Sequence, residues 1–130
     1  MSVYCPTNVA LALNEDVERF YDDLRTAIQH VPAHNSHIIL GDFNARLGPE
    51  DAPFTYHDNI NRNREYLAAL LTEHNLLAAN TQFRKRMGKR WTFQGRANSM
   101  RHQMDYTGKE EVEEVYLECR VLQFIRLCRL

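Results

Sequence analysis

One long stretch near the start of the chain repeats apolar residues at helical spacing. Val17, Phe20, Tyr21, Leu24, Ala27, Ile28 and Val31 form a stripe, while Glu15, Asp16, Glu18, Asp22 and Asp23 occupy the other face or the first turns. Asn14 is placed to cap this helix, Pro32 to end it, and the early acids suit the positive end of its dipole. A second helix is expected from Asn63 to His74, with Leu67, Leu70 and Leu71 on its buried side. Between the two, His37 to Leu40 is a short apolar run with β-branched Ile38 and Ile39, read as a strand broken by Gly41. A polar loop then runs from Phe43 to about Asn61, punctuated by Gly48, Pro49 and Pro53. Further strands are expected at 2–6, stopped by Pro6, and at 76–80, 90–93 and 103–107. Strands alternating with helices mean an α/β arrangement.

The last part reads differently. From Lys109 the chain opens acidic and then turns apolar and basic through Leu130. Val112, Val115, Tyr116, Cys119 and Leu122 there fit the stripe of an appended helix. With 130 residues, 44% of them apolar and 25% charged, the chain is expected to be one soluble domain or a piece of one. A net charge of −1 excludes bulk electrostatic attraction to nucleic acid, so such binding has to come from a local basic cluster. Cys5, Cys119 and Cys128 form no CxxC pair and read as reduced thiols of an intracellular protein. No signal peptide or membrane-spanning stretch is expected.

The segment Ile38-Ile39-Leu40-Gly41-Asp42-Phe43-Asn44 carries the chemistry. An apolar strand delivers a carboxylate and a carboxamide two residues apart, and both side chains point the same way if the chain stays extended. A carboxylate can deprotonate or orient water, and a neighbouring amide N–H can meet a phosphoryl oxygen. The same pair also commonly makes a turn or a helix cap. Arg84, Lys85, Arg86, Lys89 and Arg90 put five cations in seven residues, suited to DNA phosphates or to a solvated loop. His30, His34 and His37 lie close in sequence, but Pro32 interrupts the helix that would align the first two for zinc.

Gly41-Asp42-Phe43-Asn44 after an apolar strand resembles the catalytic strand end of the endonuclease/exonuclease/phosphatase superfamily. More of the chain agrees in order. Val3-Tyr4-Cys5-Pro6-Thr7 is similar to the family's Tyr-x-Pro strand end, and 61–81 to its helix followed by Asn-Thr. Arg90-Trp91-Thr92-Phe93 resembles the strand bearing Trp, and Gln103-Met104-Asp105-Tyr106 the Asp-Tyr strand. The subgroup these motifs resemble is the apurinic-like endonuclease domain of non-LTR retrotransposons. The resemblance covers about Val3 to Thr107. It implies part of a four-layer α/β sandwich, two β-sheets flanked by helices, over 1–107, with 108–130 a divergent helical tail. It also implies a Mg²⁺- or Mn²⁺-dependent phosphodiesterase acting on DNA inside the cell, the nucleus included, with no membrane and no small-molecule cofactor. By position, Asp42 would activate water and ligate the metal, Asn44 would hold the scissile phosphate, Tyr4 would donate to it or pack on it, and Asp105 would orient a downstream catalytic histidine. These four are expected to share one cleft.

The departures are as informative. The family's early Asn and its metal-binding Glu have no counterpart before Met1. No Asp-His pair follows Asp105, and the last histidine, His102, precedes it. Arg64 stands where the subgroup carries Gly. An incomplete site that binds metal weakly is therefore expected, on a sheet whose Val3, Ile39, Leu40, Leu77 and Trp91 lack apolar cover. Three functions remain open: a DNA endonuclease, an inactive remnant of one, and a nucleic-acid- or protein-binding module on the same scaffold.

Overall fold

In the computed structural model, which describes residues 1–7, 14–96 and 100–110, eight regular elements form. They are β1 (Ser2–Tyr4), α1 (Asn14–Gln29), β2 (Ile38–Asp42), α2 (Arg62–Glu73), β3 (Leu76–Ala78), β4 (Phe93–Gln94), β5 (Arg101–His102) and β6 (Asp105–Glu110). Four strands make one sheet in the order β1-β2-β6-β3, and β4 pairs with β5 in a small hairpin. β1 runs parallel to β2, while β6 is antiparallel to both β2 and β3. The architecture is mixed α/β, as the alternation of patterns implies. No helix among the described residues is long and apolar enough to cross a membrane.

The first helix buries Val17, Tyr21, Leu24 and Ile28, the centre of the expected stripe, and Phe20 packs at its margin. The second buries Asn63, Leu67 and Leu70. Both helices join Ile39, Leu76, Ala78 and Tyr106 in one core, so they cover the same face of the sheet. Between the helices, Tyr21 stacks on Tyr66 with ring centroids 5.5 Å apart. Arg25 Nε reaches Glu73 Oε2 at 2.6 Å. Ile39 is 2% exposed beneath this layer, so the expected loss of cover does not apply to it. On the opposite face Ile38 remains exposed, and Leu40 and Leu77 are half-buried.

β1 stops at Tyr4, short of Pro6, and β2 runs through Gly41 to Asp42 rather than breaking at the glycine. The three later strands also differ from expectation, each for a physical reason. β3 stops at Ala78 because the chain turns into a 3-10 helix at Ala79–Thr81 and the side chain of Asn80 continues the ladder instead. Asn80 Nδ2 donates to Asp105 O at 3.0 Å, and its Oδ1 accepts from Thr107 N–H at 3.1 Å. The strand expected at 90–93 starts later, at Phe93, because Arg90 closes a 3-10 turn at Met87–Lys89 with helical dihedrals. β6 starts later than Gln103 and continues through Gly108 and Lys109 to Glu110, so three residues assigned to the tail are sheet. The tail helix expected from Val112 lies outside the described residues.

The loop after β2 is less polar in its packing than in its composition. Phe43, Ala45 and Leu47 are all buried, and so is Asn44 between the first two, although no strand forms. Arg64 anchors the loop's far side. Its guanidinium meets Asp51 Oδ1 and Oδ2, each 2.9 Å from Nε, while Asp51 Oδ2 also accepts from Gly48 N–H at 2.8 Å. The Arg64 side chain thus holds the loop to the start of α2.

Gly41 is required by the close approach of β1. A Cβ at this position would collide with the Val3 carbonyl and come within 2.8 Å of Val3 Cγ2. Gly88, in contrast, faces open space. Gly41→Ala is expected to destabilise the protein by about 1–3 kcal/mol through forced displacement of β1, with Gly88→Ala close to neutral. Urea unfolding midpoints of the two variants check this, and equal midpoints would refute the close-packing account.

Candidate functional site

Cross-strand neighbours share one face of a sheet. Tyr4 is the register partner of Asp42, and Asp42 is the register partner of Asp105. The three residues therefore form a row across β1, β2 and β6, on the face opposite that of Ile39 and Tyr106. The row runs from surface to interior: Tyr4 is 66% exposed, Asp42 half-buried and Asp105 3% exposed. Like charges directly opposite one another weaken a sheet. Strand stability alone thus gives no reason for setting two carboxylates side by side.

Asn44 corrects the extended-chain expectation. Its φ is 46°, left-handed, a conformation that asparagine tolerates better than most residues. Asp42 Oδ1 accepts the Asn44 backbone N–H at 2.9 Å, so the pair closes a local turn rather than projecting side by side from a strand. The Asn44 carboxamide instead donates to Cys5 O at 2.7 Å, which ties it to the end of β1 just after Tyr4.

Two further carboxamides brace this turn, and neither stood out in the sequence. Asn61 Nδ2 donates to Asn44 O at 2.7 Å and its Oδ1 accepts Arg46 N–H at 2.9 Å. Asn63, fully buried, donates to Pro6 O at 3.1 Å. Cys5 lies beneath them. Burial pushes its thiol up to about 12, with a hydrogen bond to Tyr21 opposing, so it is a packing residue rather than a nucleophile.

A second group missed in the sequence consists of Arg46, His57 and His102. His57 is buried, and its Nε2 accepts Gln103 N–H at 3.0 Å. A ring nitrogen that accepts a backbone N–H carries a lone pair, so in the neutral ring the proton sits on Nδ1. His102 stacks on His57 at 5.4 Å and on Phe93 at 6.5 Å. Burial first, then the charges of Arg46 and His102, hold His57 down at about 4. Burial and Arg46 lower His102 as well. No short motif announces this cluster, because its members come from three separate segments.

Among the basic-run residues, Arg84, Arg86 and Lys89 are exposed and Lys85 half-buried. Arg90 is turned inward by the 3-10 turn. Its Nε donates to Lys85 O and its Nη1 to Thr55 O, both at 2.8 Å, and its guanidinium lies 5.5 Å from the centre of the Phe54 ring. Arg90 therefore joins two loops, unlike the other four cations. Arg101 lies over the Trp91 ring at 4.8 Å. His30 Nδ1 approaches Thr26 O at 2.7 Å, and His37 Nδ1 approaches Glu110 Oε1 at 2.6 Å.

The donor set decides how a divalent cation could be held. Among the described residues no three His, Cys, Asp or Glu side chains converge. Asp42 already shares one oxygen with Asn44 N–H. Asp42 could hold magnesium only weakly and with most of the six oxygens supplied by water or by a bound phosphate.

Against known proteins, the chain is 30% identical over 110 residues to craniofacial development protein 2 of Tragulus javanicus and to that of Bos taurus. The aligned stretch is 82% of this chain but 19% and 18% of those proteins, so the chain spans less than a fifth of their length. It is a distant and partial relative of craniofacial development protein 2. No protein-family model and no solved structure matches it.

The depressed histidine sets a pH dependence. His57 is neutral in the fold down to about 4, whereas its ordinary value is 6.5, so the unfolded chain takes up the proton first as pH falls. Its contribution is fully present above pH 6.5 and is lost as pH falls toward about 4. Urea unfolding across this window should show falling stability in the wild type and a shallower fall in His57→Gln. An unchanged slope would place the titrating group elsewhere.

Proposed function

We propose that this chain forms part of a metal-dependent phosphodiesterase site of the endonuclease/exonuclease/phosphatase type, directed at DNA. The row of Tyr4, Asp42 and Asp105 at one end of the sheet carries this reading. Hydrolysis needs water brought in line with phosphorus, a base for its proton and donors for the charge that builds on the phosphoryl oxygens. In this reading Asp42 takes the proton as the water oxygen bonds to phosphorus and the bond to the leaving strand oxygen breaks. The Tyr4 hydroxyl, at the exposed end of the row, donates to the phosphate.

Asn44 acts from the side. An amide carries two N–H donors, and the bond to Cys5 takes one, so the second is the donor for phosphate. Asp105 is the acceptor to which the family ties its catalytic histidine. No histidine follows Asp105 in this sequence, so these residues supply water activation and phosphate contacts rather than that imidazole. Arg84, Lys85, Arg86 and Lys89 add strand contacts from the loop before Trp91, and a DNA substrate places the work inside the cell. Mg²⁺ or Mn²⁺ would supply charge neutralisation, with Asp42 as its one ligand from the row and water and phosphate oxygens as the rest.

A nicking assay on supercoiled DNA tests the reading. Slow Mg²⁺-dependent nicking is expected, reduced roughly 100-fold or more in Asp42→Ala. Equal rates in the two proteins would refute it. DNA binding without cleavage, weakened by Lys85→Gln and Lys89→Gln, would identify a binding module, and neither activity an inactive remnant. Calorimetric titration with Mg²⁺ or Mn²⁺ is expected to give weak binding. A tight one-to-one isotherm would require ligands beyond Asp42.

A further inference from the structure

We propose that Arg46, flanked by His57 and His102, is an anion-binding site for a phosphate group of the nucleic-acid strand. The inference extends the phosphodiesterase reading, which supplies the source of the phosphate, but the site itself is built from residues that reading does not use.

Three segments converge here on Gln103. The Tyr106 hydroxyl accepts Leu47 N–H at 3.1 Å and donates to Gln103 O at 3.0 Å, which draws the Arg46–Leu47 segment to the residue beside His102. Tyr56 N–H reaches Gln103 Oε1 at 3.0 Å, and His57 Nε2 meets Gln103 N–H at 3.0 Å. Asn61 fixes the Arg46 backbone from the other side. Each of these bonds joins a side chain to a main-chain group, and none of them uses the side chain of Arg46 or His102.

Those side chains are electrostatically incomplete. Arg46 is half-buried, and its Nε is buried without a hydrogen-bond partner among the described residues. No ion pair to Arg46 forms among the described residues either. Contrast Arg64 and Arg25, whose guanidiniums both meet carboxylates. The imidazole of His102 has its own buried Nδ1 with no hydrogen-bond partner among the described residues. A guanidinium nitrogen buried without a hydrogen-bond partner is costly, and arginine's planar fork matches phosphate oxygens. A phosphate would give Arg46 its counter-charge and would favour a proton on His102 Nδ1, turning that nitrogen into a second donor.

The location fits the strand. Arg46 lies two residues beyond Asn44 on the loop leaving β2, and His102 lies three residues before Asp105 at the start of β6. Both therefore sit at the end of the sheet that carries the Asp42–Asp105 pair. A phosphate bound here belongs to a nucleotide beside the one being cut, and it positions the strand without taking part in the chemistry.

The test is a titration with inorganic phosphate, following histidine ring signals by NMR in wild type, Arg46→Gln, Arg46→Lys and Asp42→Ala. Phosphate should raise the His102 pKa by about one unit in the wild type and in Asp42→Ala. It should do nothing in Arg46→Gln and act partially in Arg46→Lys. The unperturbed amide spectrum of each variant establishes that it is folded. A duplex oligonucleotide should produce the same shift and bind about 10-fold less tightly to Arg46→Gln. A response to inorganic phosphate but not to the duplex would keep the anion site and overturn its nucleic-acid source. No response, or one that persists in Arg46→Gln, would overturn the site, while Asp42-dependent nicking would still stand. Loss of nicking with the phosphate response intact would separate the two in the opposite direction.

Discussion

The parallel pairing of β1 with β2 is the constraint on which the rest depends. It sets Tyr4 against Asp42 across a sequence gap of 38 residues, and it is possible because Gly41 presents no Cβ to Val3. Antiparallel neighbours can be joined by a tight turn, but a parallel pair needs a crossover, and α1 provides it. The helix that covers Ile39 is thus also the connection that brings the two strand ends together. Once that pair is fixed, β6 adds Asp105 to the same row by simple register.

Side-chain amides do much of the work that longer strands would otherwise do. The strands are short, and the polypeptide leaves the sheet wherever the site is built. Asn44, Asn61 and Asn63 tie the loop after β2 to the end of β1 and the start of α2, while Asn80 extends the ladder along β6. Each buried amide satisfies main-chain groups that would be expensive to leave unpaired. The arrangement explains how an irregular segment can hold functional side chains firmly. It also explains why the loop buries Phe43, Ala45 and Leu47 without forming a strand.

Charge is distributed unevenly around this frame. Two carboxylates face each other in the row, and a cation sits among neutral imidazoles nearby. Like charges directly opposite one another weaken a sheet, and the buried Nε of Arg46 has no hydrogen-bond partner among the described residues. Elsewhere arginines are paired conventionally, as Arg64 is with Asp51 and Arg25 with Glu73.

The helices, the apolar strand that leads into Gly41-Asp42 and the mixed α/β class were legible in the sequence. They rest on periodicity and on local breakers such as Pro32, which act between near neighbours. The stripe of Val17, Tyr21, Leu24 and Ile28 needs no knowledge of its partner to be recognised as a buried face. Tyr4, Asp42 and Asp105 could be singled out as residues but not set in a row, because strand register is fixed by contacts between distant segments. Asn44 was legible as a polar residue at a strand exit, yet its left-handed turn depends on bonds to Cys5 and Asn61. Arg90 looked like one more cation of a basic run until Thr55 and Phe54 drew it inward. Arg46, His57 and His102 carried no signal at all, for their meaning lies in three segments meeting at Gln103. Local spacing determined which elements form; long-range hydrogen bonding decided which side chains meet, because a bond between distant segments leaves no periodic trace in either of them.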